Sequence, residues 1–502
     1  MSTRHRRGHL PGAPMGREYE WTALTGFLTD PAPAPAMRLA TISGPRRIGK
    51  SYLLHALCEA VDGLYFTAIS DEGRQRALYR FTEMIAAHAR VAPDTLRPRD
   101  WREALTNALD VTSRCSPHPF LVLDDFPHLL SHSPELPQLI EELHNQPRHS
   151  EDQGARLILS GTARGGLHES LSDGRPLRGR AVIDLRLGAF DYRTSRDFWQ
   201  LDDPHTALHV HSVLGGAPGY RLSTGRTSPL DGFDTWVTET LLNPGRAIYS
   251  RTEAEFLLRE DPRITQHTLY YDILTAIARG ATTPTKIGAA LGRQRNTVTH
   301  PLDVLESTGY IHREQDLLRR RQPVITLADP VIRFNQLITL PQAAAVEQGF
   351  ADEVWKASAS TFNSKILGPH YESLARSWTL QHAHAVLPDG LPGPVGTTEV
   401  PDPAARTRHE VDVIALSLGE RPQSPRARIA LLGEVKATAA RRGVSDLQRL
   451  EHIRDLLSVQ GYDTSEVTLA LFSLYGFHAD VTELAKRRPD VLLVDLETLY
   501  GL

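Results

Sequence analysis

The sequence predicts an α/β multidomain chain built around a phosphate-cradling loop near its N-terminus. Three observations carry that prediction. The stretch ISGPRRIGKS over 42–51 fits G-x-x-x-x-G-K-[ST], with an apolar run over 39–42 before it and a helix-like segment over 52–60 after it. That is the strand–loop–helix setting in which the motif holds phosphates. The stretch FLVLDDF over 120–126 places four apolar residues before an acid, as at the end of a buried strand. Finally, 502 residues exceed what one ordinary core organises and imply about three domains.

The loop explains its own residue choices. Gly44 and Gly49 let the backbone curl so that its N–H groups face an anion. The following helix adds the positive end of its dipole. Gly44, Pro45, Arg46, Arg47, Ile48, Gly49, Lys50 and Ser51 together form the nucleotide cradle. Lys50 reaches the β- and γ-phosphates of ATP, and Ser51 holds Mg²⁺. Asp124 is the second expected holder of that ion, and Asp125 sits where hydrolysing enzymes usually carry a glutamate that polarises water. An aspartate there is one methylene shorter, which predicts slow turnover and a switch rather than a motor.

The bulk numbers narrow the partners. A net charge of −4, 40 % apolar and 23 % charged residues describe a soluble globular chain without a uniformly basic coat. Nucleic-acid contact must then come from local basic patches. Cys58 and Cys115 give neither a disulfide framework nor zinc spacing, and fit a reducing cytoplasm. No apolar run is long enough to span a bilayer. The basic N-terminus lacks the apolar core of a secretory signal, so residues 1–14 are expected to be a tail.

The remaining elements of the first domain, 15–214, follow in order. A short helix begins near Gly16, Arg17 and Glu18, which could pack on an adenine, and a proline-alanine linker over 31–36 precedes the loop strand. ARLILSGT over 155–162 is a third strand whose Ser160 or Thr162 could sense the γ-phosphate. A basic loop then runs into another strand over 176–185, with Arg180 the candidate arginine finger and Arg178 its rival.

This order, together with GGAPGY over 215–220, resembles the archaeal-type ATPases of the AAA+/STAND-related P-loop class, which also occur in bacteria. The resemblance implies that Pro218 and Tyr220 begin a helical lid over 215–265. The passage over 243–258, with Glu253 and Glu255, resembles the lid-to-linker segment of that family.

From 266 to 342 the pattern changes. Apolar residues recur at helical spacing over 269–278, Thr283 and Pro284 open a short capped helix, a third helix spans 296–306, and two short strands follow. Three helices and a hairpin make a winged helix-turn-helix. In a DNA-binding use, Arg293, Arg295, Asn296 and Thr299 approach bases or phosphates, and Arg319, Arg320 and Arg321 form a basic wing on the backbone. The other use is packing against the ATPase. Pro301 removes a hydrogen bond from the third helix unless that helix starts late.

The last region, 343–502, carries a third constellation. Glu372 lies on a predicted helix, Asp412 in a strand over 408–416, and Glu434 and Lys436 on the returning strand over 429–437. Alternation points Glu434 and Lys436 to one face. Hard oxygen ligands, Asp412 and Glu434 first, suit Mg²⁺ or Mn²⁺. The arrangement resembles the PD-(D/E)xK restriction-endonuclease-like fold attached to archaeal-type ATPases. Carried over on this resemblance, Glu372, Asp412, Glu434 and Lys436 fill every catalytic position.

The parts describe an ATP-binding switch that acts on nucleic acid, DNA first, with metal-dependent cleavage gated by nucleotide. Two other classes fit the same sequence: an ATP-dependent DNA-binding regulator with an inert nuclease-like scaffold, and an assembly ATPase. Arg180 acting in trans requires a homo-oligomer.

Overall fold

The computed structural model describes residues 12–30, 37–115, 119–146, 154–162, 176–225, 227–259, 263–264, 266–388 and 390–502. The proline-alanine linker and most of the expected tail lie outside them. The chain forms two compact units, one of residues 1–190 with 217–219 and 260–265, the other of 191–216, 220–259 and 266–502.

The first unit is a parallel five-stranded sheet in the order β2-β3-β4-β1-β5. Its strands are β1 (Met37–Gly44), β2 (Leu64–Thr67), β3 (Phe120–Asp124), β4 (Ala155–Thr162) and β5 (Ala181–Arg186). Every residue of β1 and β3 is buried, as expected of parallel strands covered on both faces. Alternation divides their side chains between two cores. Ala40, Ile42, Val122 and Ile158 pack with α1 (Glu18–Thr29) and α2 (Lys50–Val61). Leu39, Leu121, Leu123, Leu157 and Leu159 pack with α3 (Arg74–Ala89), α4 (Trp101–Cys115) and α5 (Leu136–Asn145). Removing one of these leucines would cost about 2–5 kcal/mol.

The second unit begins earlier than the sequence suggests. Residues 191–214, expected with the ATPase core, group with the second unit. The reason is visible in α6 (Tyr192–Trp199): the Tyr192 hydroxyl and the Arg193 guanidinium donate to the Leu499 carbonyl in the last helix of the chain (Leu496–Tyr500), at 3.0 and 2.7 Å.

Within this unit, α7 (His267–Ala278), α8 (Pro284–Ala290) and α9 (Arg295–Ser307) precede an antiparallel pair, β6 (Ile311–Glu314) and β7 (Val324–Leu327). The Thr283 hydroxyl caps α8 by accepting from the Lys286 N–H. Helix α9 starts at Arg295, not later, so Pro301 lies in its interior, where it is buried beside Val298 and Leu302.

The C-terminal sheet has the order β12-β11-β10-β9-β8. Strands β8 (Pro392–Asp402), β9 (Thr407–Ser417) and β10 (Ile429–Lys436) pair antiparallel; β11 (Thr468–Ser473) and β12 (Val491–Asp495) continue parallel. Helices α10 (Gly368–His382) and α11 (Val444–Val459) pack on it. The loop between β6 and β7 is part of this core. Leu317 and Leu318 are buried with Val411, Ile414, Leu432 and Leu450, and the Leu317 N–H donates to the Thr397 carbonyl at 2.9 Å.

Candidate functional site

The phosphate loop turns where its glycines stand. Gly44 has φ 159°, and a Cβ there would lie 2.4 Å from the Leu187 carbonyl oxygen. Gly49 has φ 92° and immediately precedes α2. Arg47, also left-handed at φ 61°, accepts from the Gly219 N–H through its carbonyl at 2.8 Å. A Cβ on Gly219 would meet that oxygen at 2.8 Å, so the close approach here requires a glycine. Arg17 reaches the loop from the other side. It is buried and donates to the Ile48 and Gly188 carbonyls at 2.8 and 2.9 Å, with its guanidinium over the Phe190 ring. Burial lowers its pKa, and Glu20 beside it pulls the other way. Arg17 thus clamps the loop rather than standing open at an adenine.

Lys50 is folded back on the loop, donating to the Gly44 and Pro45 carbonyls at 2.9 and 2.8 Å. Those carbonyls hold the ammonium where phosphate oxygens can compete for it. The Ser51 hydroxyl donates to Asp124 Oδ2 at 2.8 Å. The Tyr65 hydroxyl donates to the same oxygen, and the Asp125 N–H donates to Oδ1 at 3.0 Å. A hydroxyl and a carboxylate side by side at the start of α2 are the oxygen donors Mg²⁺ takes, so the residues fit that ion. Asp125 adopts φ 52°; its carboxyl is pushed above the usual range by burial and then by the Asp124 charge. Tyr65 was absent from the sequence expectations. Its ring stacks on His55 at 3.7 Å, and burial followed by Asp124 raises its pKa.

The other expected residues lie as follows. Ser160 is fully buried, and its hydroxyl has no hydrogen-bond partner among the described residues. Thr162 pairs with Gly44 through the backbone; its side chain lies outside the described residues. Arg180 is ion-paired with Glu141 on α5 at 3.0 Å.

Arg293, just before α9, and Arg295, Asn296 and Thr299 in its first turns are all exposed. The hairpin arginines are not alike. Arg320 is exposed, whereas Arg321 pairs with Glu399 at 2.7 Å and Asp316 at 3.3 Å. Arg321 is thus committed to the fold and is not extended as a wing contact. Asp316 also accepts from the Leu318 and Arg319 N–H groups, which orders the loop.

The C-terminal constellation converges. Gly433 pairs with Val413 across β9 and β10, which puts Glu434 opposite Asp412. Asp412 Oδ2 accepts from the Val435 N–H at 2.8 Å and lies 4.0 Å from Lys436 Nζ. Glu434 Oε1 takes both Lys436, at 2.5 Å, and Arg449 from α11. Glu434 Oε2 is buried with no hydrogen-bond partner among the described residues. Glu372 on α10 is driven up to about 7 by burial and then by the Asp412 charge. Burial raises Asp412 and Glu434 as well, Glu434 also through Asp412. The facing Asp412 and Glu434 carboxylates, with one unpartnered oxygen, fit a hard divalent cation. Arg449 and Arg376, which donates to the Asp412 carbonyl at 3.1 Å, were not foreseen.

Residues 36–169 match the family model described as an AAA domain. With the loop geometry, this makes residues 36–169 the nucleotide-binding part of a P-loop ATPase. No curated protein matches. Among solved structures, the chain is similar to the Walker-type ATPase of Pyrococcus abyssi, at 22 % identity, covering 64 % of this chain and 96 % of that one with a TM-score of 0.47. The ORC2 protein of Aeropyrum pernix aligns at 15 % identity over 71 % of this chain and 98 % of its own, TM-score 0.46. The ORC1 protein of the same organism, solved in complex with DNA, aligns at 16 % over 67 % and 96 %, TM-score 0.31. Among the described residues no helix is long and apolar enough to cross a membrane.

Proposed function

We propose that the chain is an ATP-controlled switch on nucleic acid, whose C-terminal site cleaves phosphodiesters when the nucleotide site permits it. The observation that carries this reading is the unpartnered, buried Glu434 Oε2 among Asp412, Glu372 and Lys436. A buried carboxylate oxygen without a hydrogen-bond partner costs free energy that a bound cation or a proton would offset. When bound, Mg²⁺ or Mn²⁺ supplies positive charge for phosphate oxygens and acidifies water at the site. Asp412 and Glu434 would hold the ion, Lys436 would orient the water, and Glu372 would take up or release its proton.

At the nucleotide site, Lys50 would leave the Gly44 and Pro45 carbonyls for the phosphates, and Ser51 and Asp124 would hold Mg²⁺. Asp125 would orient the attacking water, and Arg180 would exchange Glu141 for the phosphates of a neighbouring copy. The three-helix and hairpin segment would act as a winged helix, with Arg293, Arg295, Asn296 and Thr299 toward nucleic acid.

The test is cleavage of single- and double-stranded DNA and RNA with Mg²⁺ or Mn²⁺, with and without ATP, comparing wild type with Lys436→Ala and Lys50→Ala. Cutting that disappears with Lys436→Ala and changes with Lys50→Ala is expected. No cutting in any arm, with ATP still bound, overturns the nuclease reading. The exposed residues of α9 favour the second reading, an ATP-dependent DNA-binding regulator with a silent C-terminal site. It predicts duplex binding that responds to ATP and weakens steeply with salt.

A further inference from the structure

The β8–β9 hairpin and α11 bring together three side chains with no part in the sites above. Asp402 ends β8, His409 lies near the start of β9, and His452 projects from α11. Asp402 is buried, and its Oδ1 accepts from the Ala405 N–H at 3.0 Å. That bond fixes the carboxylate and leaves Oδ2 toward the imidazoles. His452 Nε2 lies 2.8 Å and His409 Nε2 3.5 Å from this one oxygen. The two rings are 5.4 Å apart and nearly perpendicular, and all three donor atoms fall within 4.8 Å of one another.

We propose that Asp402, His409 and His452 form a binding site for a divalent transition metal of the zinc type. Two imidazoles converge on this one carboxylate oxygen with the same ring nitrogen. Bonds of about 2.0–2.1 Å in a tetrahedral set give donor–donor edges of roughly 3.3 Å. The His409 edge already has that length, and the His452 edge opens by about half an ångström. The His452 side chain is half exposed, which gives it room to move and gives an ion its entry path. Two imidazoles and one carboxylate select zinc-like ions over Mg²⁺, in contrast to the all-oxygen set around Glu434. Three protein donors leave a fourth position for water. The ion would also tie the hairpin to α11 one helical turn beyond Arg449.

The test uses the full chain without a histidine tag, stripped by chelator and titrated with Zn²⁺ or Mg²⁺ while heat content and melting temperature are followed. One tightly bound Zn²⁺ per chain and a higher melting temperature are expected, both lost in His452→Ala, whereas the response to Mg²⁺ is the same in wild type and His452→Ala. Affinity falls at least about tenfold in His452→Ala, His409→Ala and Asp402→Asn and is kept in Glu434→Gln. His452 is exposed enough for its variant to fold, and circular dichroism checks that. Co²⁺ substituted for Zn²⁺ gives visible absorption that His452→Ala removes. Equal Zn²⁺ binding by wild type and His452→Ala, or none by folded wild type, overturns the proposal.

Discussion

The nucleotide site and the C-terminal acidic site each place a carboxylate on an interior strand of a sheet, and they differ in how far the fold satisfies it. Asp124 meets Ser51, Tyr65 and the Asp125 N–H, so both of its oxygens are occupied. Glu434 crowds Lys436 and Arg449 onto one oxygen and leaves the other dry. A site whose ligand brings its own ion can rest fully paired, because Mg²⁺ arrives with the phosphates. A site that must recruit an ion by itself is better served by an unmet oxygen and carboxyls whose pKa values burial has raised. The difference therefore separates a pocket that closes on nucleotide from one that waits for a cation.

Four measurements break or sharpen that contrast. The largest effect is expected for Asp125→Asn. Turnover of ATP should fall by roughly 10²–10⁴-fold, measured as phosphate release, with ATP binding kept. Unchanged turnover would remove Asp125 from the chemistry. Next, Glu434→Gln should weaken Mn²⁺ binding at the C-terminal site by about 10- to 100-fold in calorimetry while ATP binding stays as in wild type. Equal Mn²⁺ affinity would mean that the dry oxygen has no part in recruiting the ion.

The third measurement is pH-dependent. The Glu372 carboxyl in the folded chain titrates at about 7, above its ordinary value. Its proton is bound more tightly in the folded state, so the stability it contributes is present at acidic pH and lost as pH rises through about 7. With chelator present, wild type should lose roughly 2 kcal/mol relative to Glu372→Gln between pH 5 and 8 in urea unfolding. Parallel curves would show that the carboxyl is solvated. The smallest effect is expected for Tyr65→Phe. It removes one of the donors on Asp124 and should shift Mg·ATP affinity by about 1 kcal/mol, roughly fivefold.

The nucleotide core was legible because its signals are local. A glycine loop, its flanking strand and helix, and the acid ending β3 are contiguous in sequence, and the elements form within a few residues of where the pattern puts them. The Asp412, Glu434 and Lys436 set was legible for a related reason: strand alternation and one hairpin suffice to bring it together. What escaped depends on distant contacts. Strands β2 and β8 carry no strong pattern of their own and are defined by their neighbours. Tyr65, Arg17 and Arg449 act through partners 59, 31 and 15 residues away. The grouping of residues 191–214 with the second unit depends on a helix some 300 residues later.

The loop between β6 and β7 determines how the chain can be divided. Leu317 and Leu318 belong to the same core as the C-terminal sheet, and the Gln423 N–H donates to the Leu317 carbonyl at 2.8 Å. A fragment cut at residue 343, where composition changes, would leave an empty apolar socket in that sheet and a detached plug on the other piece. Such halves are expected to aggregate or to re-associate in trans, and protease nicking near 343 should leave the two pieces migrating together. The last three-fifths of the chain is in this respect expected to fold, and to be handled, as one piece.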